Sequence, residues 1–102
     1  MSINKRYFKT KPHCTVTFRL PKGDAGAAKK ASVVGEFNEW QTAATPMTQL
    51  KDGSFKATVN LEPGRQYQFR YLLDDDRWVN DAEAEAFVRT EFHDAENSVI
   101  GV

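Results

Sequence analysis

The sequence has little cysteine, no net charge and no long hydrophobic run, and each absence excludes a class of protein. Its single cysteine, Cys14, cannot form an internal disulfide, which is compatible with a reducing compartment. Fourteen basic and fourteen acidic residues cancel, so no electrostatic footprint for nucleic acid or an anionic membrane is visible. No apolar run approaches the roughly 18 residues of a membrane span, and the N-terminus lacks a signal-peptide core. We therefore expect a cytoplasmic protein.

The common motifs of catalysis are also missing. The sequence has no nucleophile elbow, no phosphate loop and no Cys/His cluster with zinc spacing. The acidic run at 74–76 invites a metal site, but no calcium-loop pattern follows it, and a solvated hairpin tip is the favoured interpretation. Four carboxylates, Glu36, Glu39, Asp81 and Glu83, are candidates only because any carboxylate is, and no feature of the sequence pairs two of them across a cleft as glycosidases require. We predict a protein without catalytic activity, cofactor or metal.

Alternating apolar and polar residues dominate what is present, and they predict β-strands. A chain of 102 residues forms one domain, 1–102. Asp52-Gly53 indicates a hairpin, Pro63-Gly64 a type II turn, and residues 80–86 a single helical turn. The predicted strands are 13–20, 30–37, 47–50, 54–61, 66–73, 78–79, 87–89 and 97–102. This pattern predicts an all-β, immunoglobulin-like antiparallel β-sandwich of about seven to eight strands, with an up-and-down barrel as the alternative.

The N-terminal segment 1–11 is rich in lysine and arginine and carries a few bulky apolar residues. It could be an arm that packs along a sheet edge, or a loose tail. We favour the interpretation that its positive charge is only solubilising.

The most distinctive stretch runs from Val33 to Trp40. Its β-branched residues favour a strand, and Gly35 indicates a bulge or the close approach of another segment. Asn38 tolerates the unusual dihedrals of a turn, which places Trp40 on the surface just past the strand. A ring in that position either caps the edge of the core or serves as a platform for a ligand.

A second tryptophan, Trp78, follows a hairpin tip, and the strand between the two shows Gln68 and Arg70 on its outward face. A pyranose packs its C–H groups on the negative face of an aromatic ring, and its hydroxyls bond amide or charged partners. Two exposed rings at an angle suit a curved α-glucan better than a flat β-glucan. The alternative is that both rings only cover the core.

Residues 35–40, Gly-Glu-Phe-Asn-Glu-Trp, resemble the Gly-x-Phe-Asn-x-Trp signature of family 48 carbohydrate-binding modules. These modules are also called isoamylase N-terminal or early-set domains, and they include the glycogen-binding domain of the AMP-activated kinase β subunit. Further resemblances are the strand at 61–71, the Trp-x-x-Asp at 78–81 and the closing Asn-x-Val at 97–99. The resemblance spans 30–102, and the chain looks like the free-standing bacterial members of the family.

This resemblance implies a site. Trp40 and Trp78 would be the stacking platforms, Asn97 a hydroxyl-binding amide, and Gln68 would stand where glycogen binders of the family carry a lysine. His93 and Ala95 fall in a loop that elsewhere supplies an apolar wedge and a hydroxyl, and neither matches.

The implied function is non-catalytic binding of glycogen or a related α-1,4-glucan, with a glycogen-metabolising enzyme as a further partner. The alternative is a protein-interaction module of the same fold, which docks on a partner enzyme or self-associates without binding sugar. A small hydrolase has no support in the sequence.

Overall fold

Two antiparallel sheets packed face to face form the protein in the computed structural model, which describes residues 3–89 and 96–102. A one-turn helix, α1 (Lys22–Ala25), and a 3-10 turn (Glu36–Asn38) interrupt the strands. Within the described ranges the nine strands are β1 (Ile3–Tyr7), β2 (Cys14–Leu20), β3 (Ala31–Gly35), β4 (Thr48–Gln49), β5 (Phe55–Leu61), β6 (Gln66–Leu73), β7 (Arg77–Val79), β8 (Ala86–Arg89) and β9 (Glu96–Gly101). The predicted all-β antiparallel sandwich is confirmed.

Sheet A has the strand order β1-β2-β5-β4. Every second residue of β2, from Cys14 to Leu20, is buried, because successive side chains of a strand point to opposite faces. The Asp52-Gly53 hairpin joins β4 to β5 as predicted, with Gly53 at a φ of 89°.

The N-terminal segment supplies the strand that raises the count to nine. The alternative in which this segment packs along a sheet edge is confirmed, because β1 pairs with β2 along five residues and Ile3 packs against the core. The favoured interpretation that its charge is only solubilising does not hold for Lys5. This lysine forms an ion pair with Glu85, in the loop before β8, and so links the edges of the two sheets.

Sheet B has the order β3-β6-β9-β8, with β7 paired to the end of β6. The central strand β6 points Tyr67, Phe69, Tyr71 and Leu73 into the core. One edge of β6 pairs with β3, and the other pairs first with β9 and then with β7. The type II turn before β6 is supported by Gly64, whose φ is 81°.

Two local predictions were wrong in detail. The strand predicted at 30–37 ends at Gly35, and Phe37 lies in the 3-10 turn, where its ring stacks 5.5 Å from that of Phe18. The segment predicted as a helical turn contains instead a turn at 82–83, in which Ala84 N–H donates to Asp81 O at 3.2 Å, and β8 begins at Ala86. In the same turn the Asp81 carboxylate accepts the N–H of Glu83 at 2.8 Å.

A membrane-spanning helix is not found anywhere in residues 3–89 and 96–102, since none of their helices has the length or the apolar character to cross a bilayer.

Candidate functional site

The corner after β3 depends on a glycine. A Cβ on Gly35 would lie 2.5 Å from the carbonyl oxygen of Gln68 and 2.8 Å from Cβ of Phe69. Only glycine lets β3 approach β6 this closely, so the close approach predicted from the sequence is confirmed. The backbone itself is extended there, with a φ of −168°, so the requirement is for space and not for an unusual dihedral.

Asn38 holds this corner through its side chain. Its Oδ1 accepts the N–H of Gly35 at 3.0 Å, and its Nδ2 donates to Val33 O and to Thr45 Oγ1, each at 3.0 Å. The prediction that Asn38 adopts the unusual dihedrals was wrong, because Glu39 and Trp40 have the positive φ values, 57° and 59°.

Trp40 is therefore presented on a strained backbone. Its N–H donates to Gly35 O at 2.9 Å, and 38% of the residue is exposed. A left-handed conformation costs a non-glycine residue about 1–2 kcal/mol, and such strain concentrates at functional sites. The exposed position predicted for this ring is confirmed.

Glu36 connects the same corner to the central strand. Because β3 ends at Gly35, the next N–H of β6, that of Gln68, has no partner on the β3 ladder, and Glu36 Oε1 accepts it at 2.6 Å. Glu36 thus fixes Gln68 beside the turn that carries Trp40.

The acidic run forms the tip of the β6–β7 hairpin. Asp74 and Asp75 have positive φ values of 51° and 62°, and Asp76 N–H donates to Leu73 O at 3.1 Å. Asp75 pairs with Lys30, and this hydrogen bond raises the pKa of the lysine. Within residues 3–89 and 96–102, no group of three or more acidic, His or Cys side chains could hold a metal ion.

The hairpin places Trp78 opposite Leu72, so that its ring lies on the outward face of sheet B. It is 44% exposed. We call this outward face "face B"; it comprises the outward-pointing side chains of β3, β6, β7, β8 and β9, among them Val34, Gln68, Arg70, Leu72, Trp78, Val88, Asn97 and Val99.

Face B also buries apolar side chains. Leu72 is 4% exposed, Val34 0% and Val99 5%, although none of the three belongs to the core between the sheets. An outward face of an antiparallel sheet is normally solvated and polar. Face B therefore has a small apolar layer of its own beneath its surface.

The two predicted amides meet on this face. Asn97 Nδ2 donates to Gln68 Oε1 at 3.0 Å, and both residues are half-buried. They lie on neighbouring strands, because Gln68 pairs with Val99, two residues from Asn97.

Arg70 is a candidate that the sequence analysis did not assign to the site. It lies on face B between Gln68 and Leu72, and its Nε donates to Glu96 O at 3.0 Å. The sequence contains the information needed to include Arg70, because the alternation of β6 puts it on the same face as Gln68.

The structure thus brings the side chains of Gln68 and Asn97 into contact, and strand register places Trp78 on the same face. Trp40 lies in the adjacent corner, which is linked to the backbone of Gln68 through the side chain of Glu36. His93 and Ala95 lie outside the described residues.

Comparison with known proteins gives a family. The model of the family described as the glycogen recognition site of AMP-activated protein kinase matches residues 24–102, which include every candidate residue above. A comparison with curated proteins found no match. Because the family match covers most of the chain, the protein belongs to the carbohydrate-binding family of the glycogen recognition site of AMP-activated protein kinase.

Proposed function

We propose that face B, together with the corner of Trp40, binds glycogen or a related α-1,4-glucan without catalysis. The observation that carries the proposal is an exposed Trp78 on the same sheet face as the Gln68–Asn97 amide pair, in a chain that belongs to a glycogen-recognition family. Trp40 and Trp78 stack on sugar rings, while Gln68 and Asn97 bond hydroxyls.

The chemistry of the amide pair suits a sugar. The bond between the two side chains uses a donor of Asn97 and an acceptor of Gln68. Asn97 Oδ1 can then accept and Gln68 Nε2 can donate, which matches neighbouring hydroxyls that both donate and accept. The guanidinium of Arg70, next along β6, adds N–H donors to the same row.

Two of the four candidate carboxylates make structural hydrogen bonds. Glu36 accepts the backbone N–H of Gln68 at 2.6 Å, and Asp81 accepts the hydroxyl of Tyr71 at 2.7 Å inside the protein. These contacts support a binding module over a hydrolase. Such a module acts where glycogen is stored, in the cytoplasm, with a glycogen-metabolising enzyme as partner.

The test is a titration of intrinsic tryptophan fluorescence with a cyclic maltooligosaccharide. The wild type should show a saturable shift, and Trp40→Ala and Trp78→Ala should each lose about 1–3 kcal/mol of binding free energy, by analogy with base–aromatic stacking. Tyr7→Ala is the matched control, because Tyr7 is an exposed aromatic residue on the edge of sheet A.

Circular dichroism verifies that each variant is folded. A wild-type protein that gives no response up to millimolar sugar would rule out the binding function. An equal loss in Tyr7→Ala would show that the effect is not specific to the proposed site.

A second candidate function is self-association, and one observation favours it. Strand β8 is an edge strand of sheet B among the described residues, and its Phe87 and Val88 are both exposed. Apolar edge strands are prone to pair with another chain. Sedimentation of the wild type and of Phe87→Lys distinguishes the two functions, because sugar binding does not require a dimer.

A further inference from the structure

The hydrogen-bond ladder of sheet B has a break at the centre of face B. On one edge of β6, the pairing with β9 ends at Phe69 and the pairing with β7 begins at Tyr71. Arg70 lies between the two ladders. Strand β7 carries Trp78 and strand β9 carries Asn97, so the ladders join the stacking ring to the amide pair only through β6.

Asn80 spans this break. Its Oδ1 accepts the hydroxyl of Ser98 at 2.9 Å, and its Nδ2 donates to the carbonyl of Glu96 at 2.9 Å. Those two partners flank Asn97 in β9, while Asn80 itself follows Trp78 by two residues.

A buried hydrogen-bond network holds the junction of β7 and β9 on its core side. The N–H of Asp81 donates to Ser98 Oγ at 2.9 Å, and the hydroxyl of Tyr71 donates to Asp81 Oδ2 at 2.7 Å. Ser98 and Asp81 are almost fully buried, and hydrogen bonds are stronger in such surroundings. Because Ser98 is held by this network, its hydrogen bond to Asn80 can hold the end of β7 in place.

We propose that Asn80 is a positioning residue that holds β7 against β9, that it thereby keeps Trp78 at its spacing from the Gln68–Asn97 pair, and that it makes glucan affinity depend on ligand length. This inference rests on the proposed function of face B. Trp78 is opposite Leu72, four residues along β6 from Gln68, a separation of about 13 Å in a strand. A ligand that reaches both groups must contain several sugar rings, and only such a ligand is affected by their spacing.

Asn80→Asp tests the proposal with little change in shape. The variant keeps an oxygen that accepts from Ser98, but it replaces the donor to Glu96 with a second oxygen that faces a carbonyl. Asn60→Asp is the matched control, because Asn60 Oδ1 also accepts from a hydroxyl, that of Thr15 at 2.9 Å, on the opposite sheet.

Two measurements are made on the intact protein. Without sugar, the indole N–H resonance of Trp78 should shift in Asn80→Asp while that of Trp40 stays in place. With sugar, calorimetry should show about fivefold to tenfold weaker binding of maltoheptaose, the loss expected for one hydrogen bond, and an unchanged affinity for maltose. Asn60→Asp should change neither measurement.

Equal losses for maltose and maltoheptaose, or an unmoved Trp78 resonance, would overturn the positioning role. If Asn80→Asp does not fold, Asn80→Ala removes both bonds without adding charge and is measured in the same way. A wild-type protein that binds neither sugar contradicts the proposed function, whereas the sugar-free resonance still decides whether Asn80 positions Trp78.

Discussion

The outer face of sheet A consists of polar side chains that bond one another, whereas face B covers buried apolar side chains with an exposed tryptophan. On sheet A, Thr15 donates to Asn60 at 2.9 Å, and the hydroxyls of Thr17 and Thr58 are 3.3 Å apart. On face B, Leu72 lies opposite Trp78 and is only 4% exposed.

The two outer faces differ in apolar side chains that the fold itself does not require. A β-sandwich requires apolar side chains only on the two inner faces, and the outer face of sheet A meets that minimum. The apolar layer under face B adds nothing to the core between the sheets. Two of its residues, Leu72 and Val99, lie opposite Trp78 and Gln68 on neighbouring strands, and these are the residues that we propose contact sugar.

The largest effect should come from removing the apolar layer. Leu72→Ala should lower the free energy of unfolding by about 3 kcal/mol, because it leaves a cavity under face B. The same variant should weaken glucan binding, since Trp78 loses its cross-strand partner. Chemical denaturation and the fluorescence titration measure the two effects.

Thr58→Ala is the corresponding change on sheet A, and it should alter the free energy of unfolding by less than about 0.5 kcal/mol. If Thr58→Ala were as destabilising as Leu72→Ala, the two outer faces would not differ in the way described.

The next largest effect should come from the corner after β3, which begins at Gly35 and carries Trp40. Gly35→Ala should cost about 2–3 kcal/mol of stability, because the new Cβ would meet backbone and Cβ atoms of β6 that cannot move aside easily. Glucan binding should fall as well, since the corner carries Trp40. Gly23→Ala is the control, because a Cβ at Gly23 meets nothing within 4 Å.

Thermal unfolding of both glycine variants gives the comparison. A Gly35→Ala protein as stable as Gly23→Ala would contradict the close approach of β3 to β6.

A smaller effect should depend on pH, and it concerns Tyr71 on the inner side of sheet B. Burial is the main cause that raises the pKa of the Tyr71 hydroxyl above its usual 10.0, and the neighbouring Asp81 carboxylate raises it further. Below pH 10 the hydroxyl is neutral in both the folded and the unfolded states, and its contribution to stability is complete. Above pH 10 only the unfolded state ionises, so this contribution decreases as the pH rises.

The wild type should therefore be more stable than Tyr71→Phe at pH 8. Their difference in unfolding free energy should shrink by about 1.4 kcal/mol for each pH unit above 10. Urea denaturation between pH 8 and pH 11.5 measures this difference. A constant difference over the whole range would contradict the buried hydrogen bond between Tyr71 and Asp81.

Local sequence patterns predicted much of the architecture because their causes are local. The alternation of β6 predicts which side chains face the core, and Asp52-Gly53 and Pro63-Gly64 predict turns through the dihedrals that glycine permits. The exposed positions of Trp40 and Trp78 follow from the turns that precede them.

Other features could not be predicted because they depend on segments that are distant in sequence. Only the folded chain brings together the residues of three contacts: the pairing of the N-terminal segment with β2, the bond of Glu36 to Gln68 N–H, and the bond of Asn80 to Ser98. Asn38 is a different case, because its side chain bonds only residues three to seven positions away, Gly35, Val33 and Thr45, and its role depends on the path of the corner itself.

Local sequence patterns were enough to predict eight of the nine described strands, most of the turns and the two exposed rings, since these follow from the period of the pattern and from backbone sterics. How the proposed binding groups combine depends on the tertiary structure. It sets Gln68 against Asn97 and joins β7 to β9 through Asn80, because strand order and register, which a single strand does not encode, fix the neighbours across strands of each side chain.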